Sequence, residues 1–206
     1  ADAQNGHVDA CMLGSSQVDK YGNINTTFLG GTYEAPKVRL PGSGGANDLA
    51  SSIRRIIILT RDIKRTFVNK LDYLTSPGYL SGPGEREKLG MRGGPVAVIT
   101  PKGIFRFDKK TKEMFLDTIH PGVKLEEIIS EVPWELKVQD PLRETEPPTE
   151  EHVNIIRTLD PEGIYIGKGR ETMSGSDMQS FYRFLEIMDK SYEPMNSLIM
   201  RKAWGS

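Results

Sequence analysis

The residues best suited to chemistry lie in the stretch LPGSGGANDLASS, residues 40–52. Glycine allows tight turns and a close approach of the backbone to a ligand, because it has no side chain to block either. The residues that follow have the pattern of a helix start, with Asn47 or Asp48 as the predicted N-cap. Backbone N–H groups at such a start favour a negative oxygen of a carboxylate, a phosphate or an attacked thioester. A purely structural tight turn accounts for these residues equally well.

Other interpretations of this stretch fit the sequence poorly. Gly42 and Gly44 begin a G-x-G-x-x-G dinucleotide motif, but Asn47 occupies its third position, and no G-x-x-x-x-G-K-[ST] motif occurs in the sequence. Ser43 lies between glycines but outside a G-x-S-x-G nucleophile motif. The three histidines and the single cysteine lack the spacing of metal ligands. The sequence therefore predicts no nucleotide site, no serine nucleophile and no metal site.

The composition is that of an ordinary globular protein. With 27% charged residues and a formal net charge of -1, the chain has no basic excess for binding nucleic acid or an anionic membrane. Its longest apolar run, IIIL at 56–59, is far shorter than the roughly 18 residues of a membrane-spanning helix. The lone Cys11 favours a reducing compartment, so we predict a cytoplasmic protein. The chain lacks the pattern of a signal peptide, and we expect it to begin within a domain.

The elements around the glycines follow an α/β pattern. The apolar runs HVDACML (7–13) and RIIILT (55–60) are typical of interior strands, and KVRL (37–40) predicts a short strand before the glycines. A strand at VAVIT (96–100) is followed by a predicted hairpin with a charged tip, formed by GIFRFD (103–108) and MFLDTI (114–119). KLEEIISEV (124–132) and TEEHVNIIRTL (149–159) have helical spacing, the second with Thr149 as its N-cap.

Two segments depart from this pattern. Residues 75–95 contain six glycines and three prolines, which predicts a long functional loop without regular structure. From residue 168 the sequence is first polar, as in a linker, and then has apolar residues at helical spacing. This pattern predicts a helix that either docks on the same domain or offers a face to a partner subunit. We therefore predict a domain at 1–167 and a linker with a helical extension at 168–206.

Several motifs, in order along the chain, resemble the beta subunit of the class I CoA-transferases, most closely its glutaconate CoA-transferase branch. They begin with GHVDACMLGSSQVDKYGNINTT and PGSGGANDLAS, and they continue with NKLDYLTSPGYLSGPGEREKLG, VITPKGIFRFDKKTKEMFL, HPGV and TEEHVNIIRTLDPEGIYI. The resemblance covers about residues 5–167. It implies an α/β fold with an open, mostly parallel sheet, helices on both faces and a β-hairpin.

The resemblance also implies an activity. In this family a glutamate carboxylate attacks an acyl-CoA thioester, and a glutamyl-CoA intermediate passes CoA to a second acid, here expected to be a dicarboxylic acid. The backbone N–H groups of Gly44, Gly45 and Ala46 would stabilise the oxyanion. The same comparison implies five substrate-binding residues, although Gln17 and Asn47 also suit turn and cap roles: Gln17, Asn47, Ser76, Gly78 and Gly82.

The family's catalytic glutamate lies in an E-x-G segment upstream of G-H-V-D, which this sequence does not include. Glu34, Glu85 and Glu87 occupy other motifs. We therefore expect two partners, a CoA-transferase alpha subunit and an upstream beta-subunit segment carrying the glutamate, and an inactive isolated chain. We expect a coenzyme A thioester as substrate and no bound cofactor. An acyl-CoA hydrolase or decarboxylase of the same fold, or a non-catalytic assembly subunit, is the alternative.

Overall fold

The computed structural model describes residues 2–161 and Gly163. The strands are β1 Ala10–Gly14, β2 Gln17–Val18, β3 Ile24–Asn25, β4 Phe28–Gly31, β5 Pro36–Arg39, β6 Arg55–Leu59, β7 Gly94–Ile99, β8 Gly103–Phe107, β9 Met114–Ile119 and β10 Lys137–Glu144. The helices are α1 Asp2–Asn5, α2 Ala46–Ser52, α3 Ile63–Thr66, α4 Glu85–Lys88, α5 Leu125–Glu131 and α6 Glu150–Leu159. The chain divides into two compact units, Ala1–Thr145 and Glu146–Ser206.

The first unit is built on a six-stranded sheet with the order β1-β6-β7-β8-β9-β10. The neighbours β1 and β6, β6 and β7, and β9 and β10 run parallel, whereas β8 pairs antiparallel with β7 and β9. Parallel neighbours need a crossover, and α2 precedes β6 while α3 and α4 precede β7. The predicted α/β fold with a mostly parallel sheet is confirmed, as is the β8–β9 hairpin.

The core forms where apolar side chains of the central strands meet the helices. Ile58, Val98 and Phe105 have no exposed surface, and Ile128 of α5 packs into the same cluster. Phe67, which follows α3, packs edge-on against Phe105 with 5.1 Å between ring centroids. Because each fully buried side chain contributes about 1.5–3 kcal/mol, this cluster holds the sheet and the crossover helices together.

Two predictions about the crossover segments are wrong. α2 begins at Ala46 with Gly45 in the N-cap position and no side-chain cap, so neither Asn47 nor Asp48 caps it. Residues 75–95 are not free of regular structure, since they contain α4 and the first residues of β7. A glycine in the left-handed region, Gly84 with φ of 82°, provides the sharp turn that starts α4.

The described part of the second unit contains α6. Thr149 caps α6 as predicted, because its hydroxyl accepts a hydrogen bond from the His152 N–H at 3.2 Å. The predicted linker and helix at 168–206 lie outside the described residues, and so does the predicted boundary at 167. Within residues 2–161, no helix has both the length and the apolar character needed to cross a membrane.

Candidate functional site

The glycine loop, residues 41–45, connects β5 to α2. Gly42 and Gly44 have φ angles of 91° and 48°, in the left-handed region that residues with a side chain rarely adopt. Thr26 anchors the loop, because its carbonyl accepts from the Gly42 N–H at 2.9 Å and its hydroxyl donates to the Gly42 carbonyl at 2.9 Å. The loop shape is therefore fixed by glycine and by this pair of hydrogen bonds.

Three backbone N–H groups of the glycine loop, those of Ser43, Gly44 and Gly45, donate no hydrogen bond to a residue that the structure describes. Gly44 and Gly45 are exposed. The Ala46 N–H, by contrast, donates to the Ser43 carbonyl at 2.8 Å, so the predicted oxyanion role of Ala46 stays a prediction. A Cβ added at Gly44 or Gly45 would meet no described atom within 4 Å. Adjacent N–H donors beside open space can bind a negative oxygen.

The loop lies at the end of the sheet where ligands commonly bind in α/β folds. α2 packs on the core through Ala50 and leads into the first residues of β6, so its first turn lies toward the carboxyl ends of the parallel strands. β1 and β6 end level with each other, Gly14 opposite Leu59. In open α/β sheets, ligands bind outside the carboxyl ends of the strands. The position of the glycine loop fits that rule.

A buried hydrogen-bond network lies next to the loop and contains Gln17. The Gln17 Nε2 donates to the Asp72 carboxylate at 2.8 Å, and its Oε1 accepts from the Asn25 amide at 2.7 Å. The Asn25 Oδ1 in turn accepts from the Thr75 hydroxyl at 3.3 Å, and the Thr75 hydroxyl oxygen accepts from the Thr26 N–H at 2.9 Å. Gln17 thus holds β2, β3 and residues 72–75 together, and a contact of Gln17 with substrate stays a prediction.

Asn47 joins α2 to this network. Its side chain is exposed, and its Nδ2 donates to the Thr75 carbonyl at 2.8 Å. The network and the glycine loop are therefore connected through the first turn of α2. The structure brings Asn47 and the glycine loop together, whereas the substrate contact of Asn47 remains a prediction.

The other three predicted substrate-binding residues contribute to packing. Ser76 is 1% exposed, and its hydroxyl has no hydrogen-bond partner in the described part of the chain. Gly78 packs so tightly that an added Cβ would overlap the backbone of Gly22. Gly82 has φ of 129°, and an added Cβ would lie 3.6 Å from the Tyr21 ring. Gly78 therefore serves backbone packing and Gly82 a backbone turn with positive φ, and substrate contacts of all three residues stay predictions.

The sequence predictions did not include several members of the network. Asn25 lies in β3, whereas Asp72 and Thr75 lie between α3 and α4, and Asn25 and Thr75 are buried. The signal available was the pattern GNIN, in which two asparagines alternate with residues that face the core. A buried asparagine requires hydrogen-bond partners, so this alternation indicates a polar network.

A groove of about 590 Å³ borders the network, a size typical of ligand sites. It is lined by Asp19, Asn23, Asn69, Lys70, Leu71, Asp72, Tyr73, Leu74, Leu80 and Ser81. Burial raises the pKa of the Asp19 carboxyl, although hydrogen bonds from Asn23 act in the opposite direction. Asp72 belongs to both the groove and the network, so a ligand in the groove would touch the support of the glycine loop.

The described residues give no support to a metal site or to a serine triad. No group of three or more His, Cys, Asp or Glu side chains suited to a metal occurs among them. The Ser43 hydroxyl donates to the Gly44 carbonyl at 3.1 Å, and His120 is held by Thr145 and by the Thr100 carbonyl. The chemistry available at the loop is therefore that of backbone N–H donors.

Comparisons with known proteins show what this architecture is similar to. A family model described as coenzyme A transferase matches residues 2–131. The chain is 43% identical over 158 residues to the beta subunit of glutaconate CoA-transferase of Acidaminococcus fermentans, covering 75% of this chain and 58% of the relative. It is 41% identical over 158 residues to the beta subunit of 3-oxoadipate CoA-transferase of Pseudomonas knackmussii, covering 76% of this chain and 60% of the relative.

The crystal structure of glutaconate coenzyme A-transferase from Acidaminococcus fermentans superposes with a TM-score of 0.70 at 41% identity. The match covers 76% of this chain and 60% of that chain. The chain therefore spans less than two thirds of the length of these proteins.

Proposed function

This chain belongs to the coenzyme A transferase family, and on that premise we propose that it forms the glycine-loop part of a CoA-transferase beta subunit. The observation that carries the proposal is the pair of N–H groups on Gly44 and Gly45, which donate no hydrogen bond to a described residue and adjoin open space at the start of α2. These donors suit the oxyanion that forms whenever a thioester carbonyl is attacked.

The proposed reaction proceeds by covalent catalysis. A glutamate carboxylate attacks the thioester carbonyl of the acyl-CoA, the C–S bond breaks, and an acyl-glutamyl anhydride and the CoA thiolate form. The thiolate then attacks the glutamyl carbonyl, which releases the first acid and leaves glutamyl-CoA. A second carboxylate repeats the two steps in reverse and leaves as the new acyl-CoA. Each attack produces an oxyanion, and one well-placed donor is worth roughly 10²- to 10³-fold in rate.

The glutamate and part of the active site are proposed to come from outside this chain, from an upstream beta-subunit segment and an alpha subunit. In support, no glutamate in residues 2–161 hydrogen-bonds to the glycine loop. Glu85 is held by Lys88 at 2.6 Å, and Glu113 lies between Lys20 and Lys137. The isolated chain is therefore proposed to be inactive.

The acyl-CoA is proposed to approach along the groove beside Asp72, because the groove and the network that supports the loop share this residue. The acceptor is proposed to be a dicarboxylic acid, since both relatives that match over 158 residues are named for one, glutaconate or 3-oxoadipate. No bound cofactor takes part in this scheme. The single thiol, Cys11, supports a cytoplasmic location.

A trapping experiment tests the proposal on the complete complex. Incubation with an acyl-CoA and no acceptor is expected to produce glutamyl-CoA, which borohydride reduces to an alcohol that is detected by peptide mass spectrometry. Release of free CoA or of carbon dioxide without this adduct would instead indicate the hydrolase or decarboxylase. An assembly subunit would leave a complex that turns over no acyl-CoA. The names of the glutaconate and 3-oxoadipate relatives favour transfer.

A further inference from the structure

Arg86 is a fully buried cation, and every hydrogen bond that it donates to a described residue goes to a backbone carbonyl. It is 0% exposed. Its Nη1 donates to the carbonyls of Pro77 at 3.0 Å and Gly78 at 2.9 Å, and its Nη2 donates to those of Ala50 and Arg92, both at 2.8 Å. No carboxylate in residues 2–161 lies within ion-pair distance. Burial lowers the pKa of Arg86, but guanidinium remains protonated at physiological pH.

The four carbonyls come from two parts of the molecule. Ala50 lies in the last turn of α2, where carbonyls have no donor within the helix and a positive charge is favoured by the helix dipole. Pro77, Gly78 and Arg92 belong to the segment between β6 and β7. Arg86 thus satisfies a carbonyl at the C-terminal end of α2 and joins the helix to this segment.

The same segment also holds the other end of α2. The Asn47 side chain in the first turn donates to the Thr75 carbonyl, as described above. α2 is therefore fixed at both ends to residues 75–92, which we name the clamp segment. The helix has seven residues, a length of about 10 Å, so a shift at Ala50 is transmitted to the glycine loop.

We propose that Arg86 is a positioning residue that sets the place of the Gly44 and Gly45 donors through α2. The proposal rests on the proposed function, because it assumes that these donors act on the oxyanion of a thioester. A displacement of about 1 Å at a reacting centre can cost about 10²-fold in rate. The planar fork of arginine satisfies four carbonyls at once, whereas lysine offers a single nitrogen with three hydrogens.

Chemical rescue in the complete complex tests this role. The Arg86→Ala variant is expected to lower kcat by about 10²-fold while KM changes by less than about threefold. Guanidinium or methylguanidinium, added in the millimolar range, is expected to enter the vacated space and to raise the kcat of Arg86→Ala about tenfold. Arg86→Lys is expected to lower kcat without any recovery. Arg106→Ala, which removes a half-exposed arginine paired with Asp117, is the matched control and should retain the wild-type kcat.

Amide hydrogen exchange provides a readout that does not depend on turnover. In Arg86→Ala, residues 44–53 are expected to exchange faster than in the wild type, and guanidinium should slow them again. If the alanine variant does not fold, Arg86→Gln, which keeps an amide donor, takes its place in the exchange measurement and in the comparison of kcat with KM without guanidinium. A wild-type kcat in Arg86→Ala would refute a positioning role. The role would also be refuted if kcat fell, guanidinium restored none of it, and the whole complex were destabilised. If the wild-type complex transferred no CoA, the proposed function would be refuted. The exchange measurement would still test whether Arg86 holds α2 and the glycine loop in place.

Discussion

The glycine loop and the clamp segment are both rich in glycine, yet they use it in different ways. In the glycine loop, a Cβ added at Gly44 or Gly45 would meet no described atom within 4 Å. In the clamp segment, a Cβ added at Gly78 would overlap the backbone of Gly22. Just beyond this segment, a Cβ added at Gly94 would lie 2.7 Å from the Tyr79 ring. Glycine content alone therefore does not identify a ligand site, because at Gly78 and Gly94 glycine relieves close packing.

The largest expected effect follows from close packing in the clamp segment. Gly78→Ala should lower the free energy of unfolding by about 3 kcal/mol or more, because its methyl group overlaps backbone that cannot move aside. Gly90→Ala is the matched control in the same segment. Its φ of 70° costs only about 1–2 kcal/mol, and its methyl group meets no described atom within 4 Å. Denaturant titration of the complex measures the free energy of unfolding of both variants. Equal losses in Gly78→Ala and Gly90→Ala would contradict the role of close packing at Gly78.

A smaller loss is expected from the network between the two regions. Asn25→Ala removes the donor to the Gln17 oxygen and to the Phe28 carbonyl, and it removes the acceptor of the Thr27 N–H, at a cost of about 1–3 kcal/mol. Asn5→Ala, at an exposed site in α1, should change the free energy of unfolding by less than about 0.5 kcal/mol. Thermal unfolding of both variants checks this. Similar midpoints would show that the network contributes little.

The smallest loss of stability is expected at Glu113, which directly precedes β9 in the β8–β9 hairpin. Hydrogen bonds from Lys137 and Lys20 lower the pKa of Glu113. The stability it contributes is therefore present above the pKa of the unfolded chain and is lost as pH falls through the folded value. Because the lysines are more than one-third exposed, Glu113→Gln should cost at most about 1 kcal/mol at pH 7. This difference should disappear once the pH falls below the lowered pKa of the folded state.

Unfolding measured from pH 7 to pH 3 checks the sign. A difference that grows as the pH falls would contradict it, and so would any loss of CoA transfer in Glu113→Gln.

The elements that sequence predicts well are those governed by local pattern. The runs at 55–60 and 114–119 alternate or cluster apolar residues as buried strands do, and β6 and β9 lie within one residue of these bounds. β10 is not evident from sequence, because KVQDPLRE is largely polar and contains a proline. Its pairing with β9 depends on the rest of the sheet.

The features that sequence does not reveal depend on distant partners. Arg86 stands in the charged run GEREK, which is typical of a solvent-exposed helix, and its burial requires carbonyls from residues as far away as Ala50. Asn47 resembles an N-cap, but Thr75 offers its side chain a partner 28 residues away. Such contacts arise only when the segments have packed, so no local pattern records them.

Gly45→Ala tests whether the glycine loop forms the oxyanion site. Gly45 has φ of -83° and ψ of -2°, which alanine tolerates, and the added methyl group meets no atom of the described residues within 4 Å. The variant should therefore keep its free energy of unfolding within about 0.5 kcal/mol of the wild type. Gly122→Ala, at an exposed turn with φ of 80°, is the control for an added methyl group that lies elsewhere.

The decisive measurement is the CoA-transfer rate of the complete complex with Gly45→Ala. The methyl group would occupy the space in which the oxyanion forms, so the rate should fall by about 10²-fold, while Gly122→Ala retains the wild-type rate. An unchanged rate in a stably folded Gly45→Ala complex would contradict the role of the glycine loop as an oxyanion site.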